Sequence, residues 1–129
     1  MDAIMKFTIP GIVFLLTLAS GFWLSRAGKP LNGVIFNIHK LIALGVVVAT
    51  AVQLSKLLKT RQIQVLLIVL IVIAVLSVVA LFATGALMSL DKPAYEIFLV
   101  IHQIAPVLVL LAMGTTIYLL NTGYKPLVE

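Results

Sequence analysis

Residues 62–90 read QIQVLLIVLIVIAVLSVVALFATGALMSL and carry no charge between Arg61 and Asp91. A membrane-spanning helix needs about 20 mainly apolar residues. Further charge-free stretches occupy residues 7–25, 41–55 and 97–124. The stretch 41–55 is long enough to span a membrane only if residues 33–40 belong to the same helix, which the apolar residues Val34, Ile35 and Ile38 favour. The sequence therefore predicts helices near 5–25, 33–58, 62–90 and 94–121.

The composition predicts a lipid bilayer as the solvent of these helices. Apolar residues make up 63% of the chain and charged residues 10%, against about 45–50% and about 25% in soluble domains. The net charge of +5 does not indicate nucleic acid as a partner, because the basic residues lie at the ends of the spans. The chain has no cysteine, which excludes disulfides, thiolate metal sites and covalently attached haem.

Short turns predict that consecutive helices are antiparallel, so we expect an all-α fold. The predicted architecture is a four-helix transmembrane bundle with up-down-up-down topology. We expect the first helix to be retained rather than cleaved as a signal peptide, since no small-residue cleavage site follows it.

The two halves of the chain form an internal repeat. A shift of 63 residues places Lys29-Pro30 on Lys92-Pro93 and Ile38-His39 on Ile101-His102. With one residue of slack in the turn, Gly21-x-x-x-Ser25 matches Gly85-x-x-x-Ser89. Both histidines of the chain fall in register, and the sequence therefore predicts two tandem helical-hairpin repeats.

The register of the histidines predicts a shared depth in the membrane. Each follows its proline by nine residues, roughly 10–14 Å along a helix that starts on the same side. The second and fourth helices of a bundle can face each other diagonally, which would aim both imidazoles at the central axis. A polar side chain inside a span indicates a functional site. We therefore predict that His39 and His102 are the axial ligands of one haem iron.

Residues near the histidines suit a haem b in this interpretation. Gly21 and Gly85 would leave room for a flat macrocycle, and Phe36 and Phe98 could pack on it one turn before each histidine. Four basic residues gather at the same end and could pair with the haem propionates. They are Arg26, Lys29, Lys40 and Lys92.

Less specific interpretations of the same residues stay open. A histidine in a membrane helix can be a hydrogen-bonding residue between helices, and small residues such as Gly21 and Gly85 let helix backbones approach closely. Basic residues at helix ends can anchor lipid headgroups.

With its four spans and the repeated Ile38-His39 and Ile101-His102, the chain resembles the small membrane b-type cytochromes, including the cytochrome b561-like electron carriers. The resemblance implies non-covalent haem b between helices and single-electron transfer, with a quinol or a partner redox protein as donor or acceptor. The b561-like proteins usually hold two haems, whereas this chain has one histidine pair. One haem in one leaflet does not cross a core about 30 Å thick, so transmembrane transfer would need a quinone, a partner subunit or other ligands.

The placement of basic residues predicts the orientation of the chain in the membrane. With both termini inside, five basic residues lie on the inner side and four on the outer side, which agrees with the positive-inside rule. The inner set is Lys6, Lys56, Lys59, Arg61 and Lys125, and the outer set is Arg26, Lys29, Lys40 and Lys92. We expect a prokaryotic inner-membrane protein with both termini in the cytoplasm.

Two other functions remain open from the sequence. The chain could be a cofactor-free structural or assembly subunit of a membrane complex, or a small transporter. Proton-coupled transporters of this size need an acid within the membrane, and Glu96, near a helix end, is the one candidate.

Overall fold

A computed structural model describes residues 3–28, 32–90 and 94–123 of the chain. Within them it contains four α-helices and no strands: α1 (Ala3–Ala27), α2 (Gly33–Leu58), α3 (Val65–Ser89) and α4 (Tyr95–Thr122). The all-α prediction is confirmed, and three of the four helices lie within two residues of the predicted bounds. The third begins at Val65 rather than at residue 62, because Gln64 has extended backbone angles.

All four helices are long and apolar enough to cross a membrane. They contain 25 to 28 residues, or about 37–42 Å at 1.5 Å per residue, which exceeds a hydrocarbon core of about 30 Å. Large apolar side chains along every helix are exposed, such as Ile9, Leu41, Leu76 and Leu111. Exposed aliphatic surface on this scale requires lipid around it, so the chain is an integral membrane protein.

The chain divides into two compact units, Met1–Arg61 and Gln62–Glu129. In the first, which we call hairpin 1, α1 packs against α2; in the second, hairpin 2, α3 packs against α4. The two predicted helical hairpins are therefore present, and each contains one of the two histidines.

Hairpin 1 packs through a single stripe of α1. Ala3, Pro10, Thr17 and Leu24 are all buried and recur every seven residues, the interval at which a helix presents side chains to one antiparallel neighbour. The opposing helix buries Val46 and Leu57.

Hairpin 2 packs mainly through small residues, which let two helix backbones approach closely. Its buried positions are Leu67, Ala74, Ser77 and Thr84 on α3, and Ala105, Ala112, Thr116 and Leu120 on α4. The buried hydroxyls donate to carbonyls one turn earlier, as Ser77 does to Ile73 and Thr116 to Ala112. These bonds satisfy hydroxyl protons that lipid could not.

Asn32 sets the first residue of α2. Its side-chain Oδ1 accepts hydrogen bonds from the backbone N–H groups of Val34 at 3.0 Å and Ile35 at 3.2 Å. Both donors belong to the first helical turn, which has no partners within the helix. This cap therefore fixes where α2 starts, and with it the position of His39 roughly 9 Å further along the helix.

We expect Asn32→Ala to lower the free energy of unfolding by about 1 kcal/mol, since both first-turn donors lose their acceptor. The measurement is denaturant unfolding in detergent micelles, followed by circular dichroism. Asn32→Asp, which keeps an acceptor oxygen, should retain wild-type stability. Equal stability of Asn32→Ala and wild type would show that the cap does not fix this end of α2.

Candidate functional site

His39 lies at the interface between the two helices of hairpin 1. Its imidazole is half-buried, and Nδ1 lies 3.1 Å from the backbone carbonyl oxygen of Thr17 and 3.0 Å from Oγ of Ser20. Both partners belong to α1. The imidazole therefore links the two helices of its hairpin through one ring nitrogen.

His102 occupies the corresponding place in hairpin 2. It is half-buried, lies roughly 10 Å along α4 from Tyr95, and its Nδ1 lies 2.9 Å from Oγ1 of Thr84 on α3. Each histidine thus extends from the second helix of its hairpin to a hydroxyl on the first helix.

The repeated glycines make room for the imidazole rings. A Cβ added at Gly21 would lie 2.9 Å from Cε1 of His39, and one at Gly85 would lie 3.3 Å from Cε1 of His102. Real side chains essentially never show the first distance, and the second is tighter than most contacts. Glycine at both positions therefore lets a histidine ring pack directly on the helix backbone. The further role predicted for Gly21 and Gly85, to leave room for a haem macrocycle, stays a prediction.

The hydroxyl partners of the two histidines were not predicted from the sequence. Ser20 and Thr84 immediately precede the repeated glycines, so Ser20-Gly21 corresponds to Thr84-Gly85. The signal was a hydroxyl residue conserved between the two halves next to a matched glycine. The other repeated pair, Ser25 and Ser89, does not contact a histidine: each donates to the carbonyl three residues earlier in its own helix.

Two basic residues predicted near the site lie over aromatic rings. The guanidinium of Arg26 is 5.0 Å from the centre of the Phe22 ring, and Nζ of Lys40 is 4.8 Å from that of Phe36. Arg26 and Lys40 are exposed, so both cations remain accessible to an anionic group while part of their charge faces an aromatic ring.

Three further residues were predicted near the site, namely Lys29, Lys92 and Phe98. Phe98 is half-buried, one helical turn before His102. Lys29 and Lys92 lie outside the described residues. A role of Phe36, Phe98 and the four basic residues in binding a cofactor stays a prediction.

An apolar groove of about 290 Å³ lies between α3 and α4. Its lining includes Ala80, Ile101 and Ala105, and Ala80 also accepts the hydroxyl proton of Thr84. Its one hydroxyl, that of Ser77, donates to the carbonyl of Ile73. The groove therefore suits an aliphatic chain better than a polar substrate.

Among the described residues, no group of three or more His, Cys, Asp or Glu side chains could hold a metal ion. A bare metal ion would need such a group, since structural sites commonly use four protein ligands. Haem iron differs, because the macrocycle supplies four nitrogens and the protein adds axial ligands only.

Comparisons with protein-family models, with curated proteins and with solved structures found no match to this chain. The resemblance to membrane b-type cytochromes therefore rests on the sequence pattern alone.

We expect Gly21→Ala to lower the free energy of unfolding by about 1–3 kcal/mol, as overpacking does, because the new methyl group displaces the His39 ring. Gly85→Ala should cost less, since its Cβ has more space. The matched control is Gly11→Ala in the same helix, where nothing lies within 4 Å of the added Cβ. Denaturant unfolding in micelles measures all three, and equal stability of Gly21→Ala and Gly11→Ala would contradict the packing described here.

Proposed function

We propose that the protein is a membrane b-type cytochrome in which His39 and His102 are the axial ligands of one haem b. It would accept single electrons from a quinol or a partner redox protein and pass them to another partner. The observation that carries this proposal is the repeated imidazole: each hairpin holds one histidine at a matched position, on a matched glycine, with Nδ1 engaged by the preceding helix.

The residues present fit a haem. Histidine ligands to metals almost always donate their second ring nitrogen to a protein oxygen, which orients the ring. In both hairpins Nδ1 meets such an oxygen, so Nε2 would be the ligating atom. The exposed aliphatic surface of the helices also suits a large apolar macrocycle, since bundle cores commonly hold cofactors between facing helices.

Each remaining residue has a defined role in this proposal. Arg26 and Lys40, together with Lys29 and Lys92, would pair with the propionates near the membrane surface. Phe36 and Phe98 would pack against the ring one turn from each ligand.

The bound haem would supply a one-electron ferric–ferrous couple. With His39 and His102 both bound, the iron would have no open position for oxygen or a substrate, which favours electron transfer. The protein's own part is to hold both imidazoles in place and to exclude water from the iron. Location in a prokaryotic inner membrane, with cytoplasmic termini, belongs to the same proposal.

A second candidate is a cofactor-free structural or assembly subunit. The hydrogen bonds from His39 to α1 and from His102 to α3 favour it, because polar bonds between membrane helices stabilise a hairpin without any ligand. The transporter alternative has less support, since Glu96 lies exposed in the first turn of α4, where a carboxylate interacts favourably with the helix dipole.

Purified wild-type protein from haem-replete cells should be red, with one haem per chain by pyridine haemochrome analysis. His39→Ala and His102→Ala should each abolish the reduced-minus-oxidised haem spectrum, because each removes one axial ligand. The matched controls are Asn37→Ala and Gln103→Ala, which change exposed polar neighbours on the same helices and should leave the spectrum intact.

Circular dichroism and gel filtration separate loss of ligand from loss of fold in the histidine variants. A colourless wild-type protein that is folded and monodisperse would overturn the proposal and favour the structural subunit. Haem retained at the wild-type level in both single histidine variants would exclude these residues as ligands.

A further inference from the structure

The hydrogen bonds around His39 decide which ring nitrogen carries the proton. The Thr17 carbonyl oxygen can only accept, so Nδ1 of His39, 3.1 Å away, must donate to it. Oγ of Ser20 already donates its single proton to the same Thr17 carbonyl at 2.9 Å. Ser20 therefore presents its lone pairs to the imidazole, and Nδ1–H is shared between the two oxygens.

The same reasoning applies to His102 through different atoms. Oγ1 of Thr84 donates to the carbonyl of Ala80 at 2.6 Å, with a longer contact to Leu81 at 3.3 Å. A hydroxyl has one proton. With that proton on the Ala80 carbonyl, we infer that Oγ1 of Thr84, 2.9 Å from Nδ1 of His102, accepts from the imidazole. This assignment places the proton on Nδ1 in both histidines.

A neutral imidazole protonated on Nδ1 carries its lone pair on Nε2. We propose that Thr84 is a positioning residue that selects this tautomer of His102, and that Ser20 together with the Thr17 carbonyl fixes the rotation of the His39 ring. The inference rests on the proposed function, because it assigns these hydroxyls the task of presenting Nε2 to a haem iron. Neither hydroxyl touches the iron, and each acts through its histidine.

The membrane environment of the two histidines also favours the tautomer with the proton on Nδ1. Water, which would otherwise serve either ring nitrogen, is scarce inside a membrane span, so a protein oxygen has to accept the Nδ1 proton. Gly21 and Gly85 bring the ring close enough to the preceding helix for that bond to form. Hydroxyl, glycine and histidine therefore act as one unit in each hairpin.

The same hydrogen bonds would tune the iron. A proton donated from Nδ1 to an oxygen makes the imidazole a more basic ligand, which favours the ferric over the ferrous state. Removal of the Thr84 hydroxyl should therefore raise the midpoint potential. Ser20→Ala leaves the Thr17 carbonyl as an acceptor, so His39 should keep its tautomer.

The first test uses the haem-free protein. Nitrogen-15 NMR of histidine-labelled protein in micelles reports the tautomer of each imidazole. The chain has two histidines, and the spectrum of His39→Ala shows which signals belong to His102. Wild type should show Nδ1–H at both rings. In Thr84→Val, His102 should lose the uniform Nδ1–H signal, and Thr84→Ser should restore it. The control is Thr115→Val, which removes an exposed hydroxyl on α4 and should change the tautomer of neither histidine.

The second test uses the haem-loaded protein. We expect Thr84→Val to lower the ratio of the affinities for ferric and ferrous haem about tenfold. For one electron this corresponds to a rise of about 59 mV in the midpoint potential. Thr84→Ser should return the potential to the wild-type value.

The outcomes separate this inference from the proposed function. Wild type with Nε2–H at both rings, or Thr84→Val with an unchanged tautomer and potential, would overturn the positioning role while haem binding stood. A wild type that binds no haem would overturn the proposed function, and the NMR result would still decide whether Thr84 selects the tautomer of His102.

Discussion

The structure depends on the need to satisfy polar groups where lipid replaces water. An imidazole N–H inside a membrane span has no solvent to accept its proton, and an unpaired polar group there costs several kcal/mol. Each hairpin meets this requirement with oxygens of its first helix: the Thr17 carbonyl and Ser20 hydroxyl for His39, and the Thr84 hydroxyl for His102. The requirement for these bonds explains the close approach of the helices, the glycines that permit it, and the hydroxyl residues beside those glycines.

The two hairpins are equivalent in design and different in detail. Ser20 and His39 are separated by 19 residues, whereas Thr84 and His102 are separated by 18. In the repeat alignment the additional residue falls between Ser25 and Lys29. His39 lies closer to its glycine than His102 does, and it reaches a backbone carbonyl as well as a hydroxyl. In the proposed cytochrome, this difference would give the two histidines unequal surroundings at the haem.

Much of the fold could be predicted from the sequence because charges mark the ends of the helices. The charge-free stretches and the repeated histidines indicated four helices in two hairpins, as the structure shows. The start of α3 was less predictable, since the apolar run alone did not reveal the extended backbone of Gln64. The partners of the histidines could not be predicted from spacing, because spacing along the chain does not determine how two helices are rotated and offset against each other. Gly21 and Gly85 were predicted to leave room for a macrocycle; the structure shows that they leave room for the imidazoles, and their place beside a macrocycle stays a prediction.

The proposed function requires two imidazoles, one from each hairpin, to bind the same iron. Low-temperature electron paramagnetic resonance of the oxidised, purified protein tests it most directly, since axial ligation determines the spin state of ferric haem. We expect a low-spin ferric signal of the kind that two imidazole ligands produce. A high-spin ferric signal, which indicates an open or weakly occupied axial position, would contradict it.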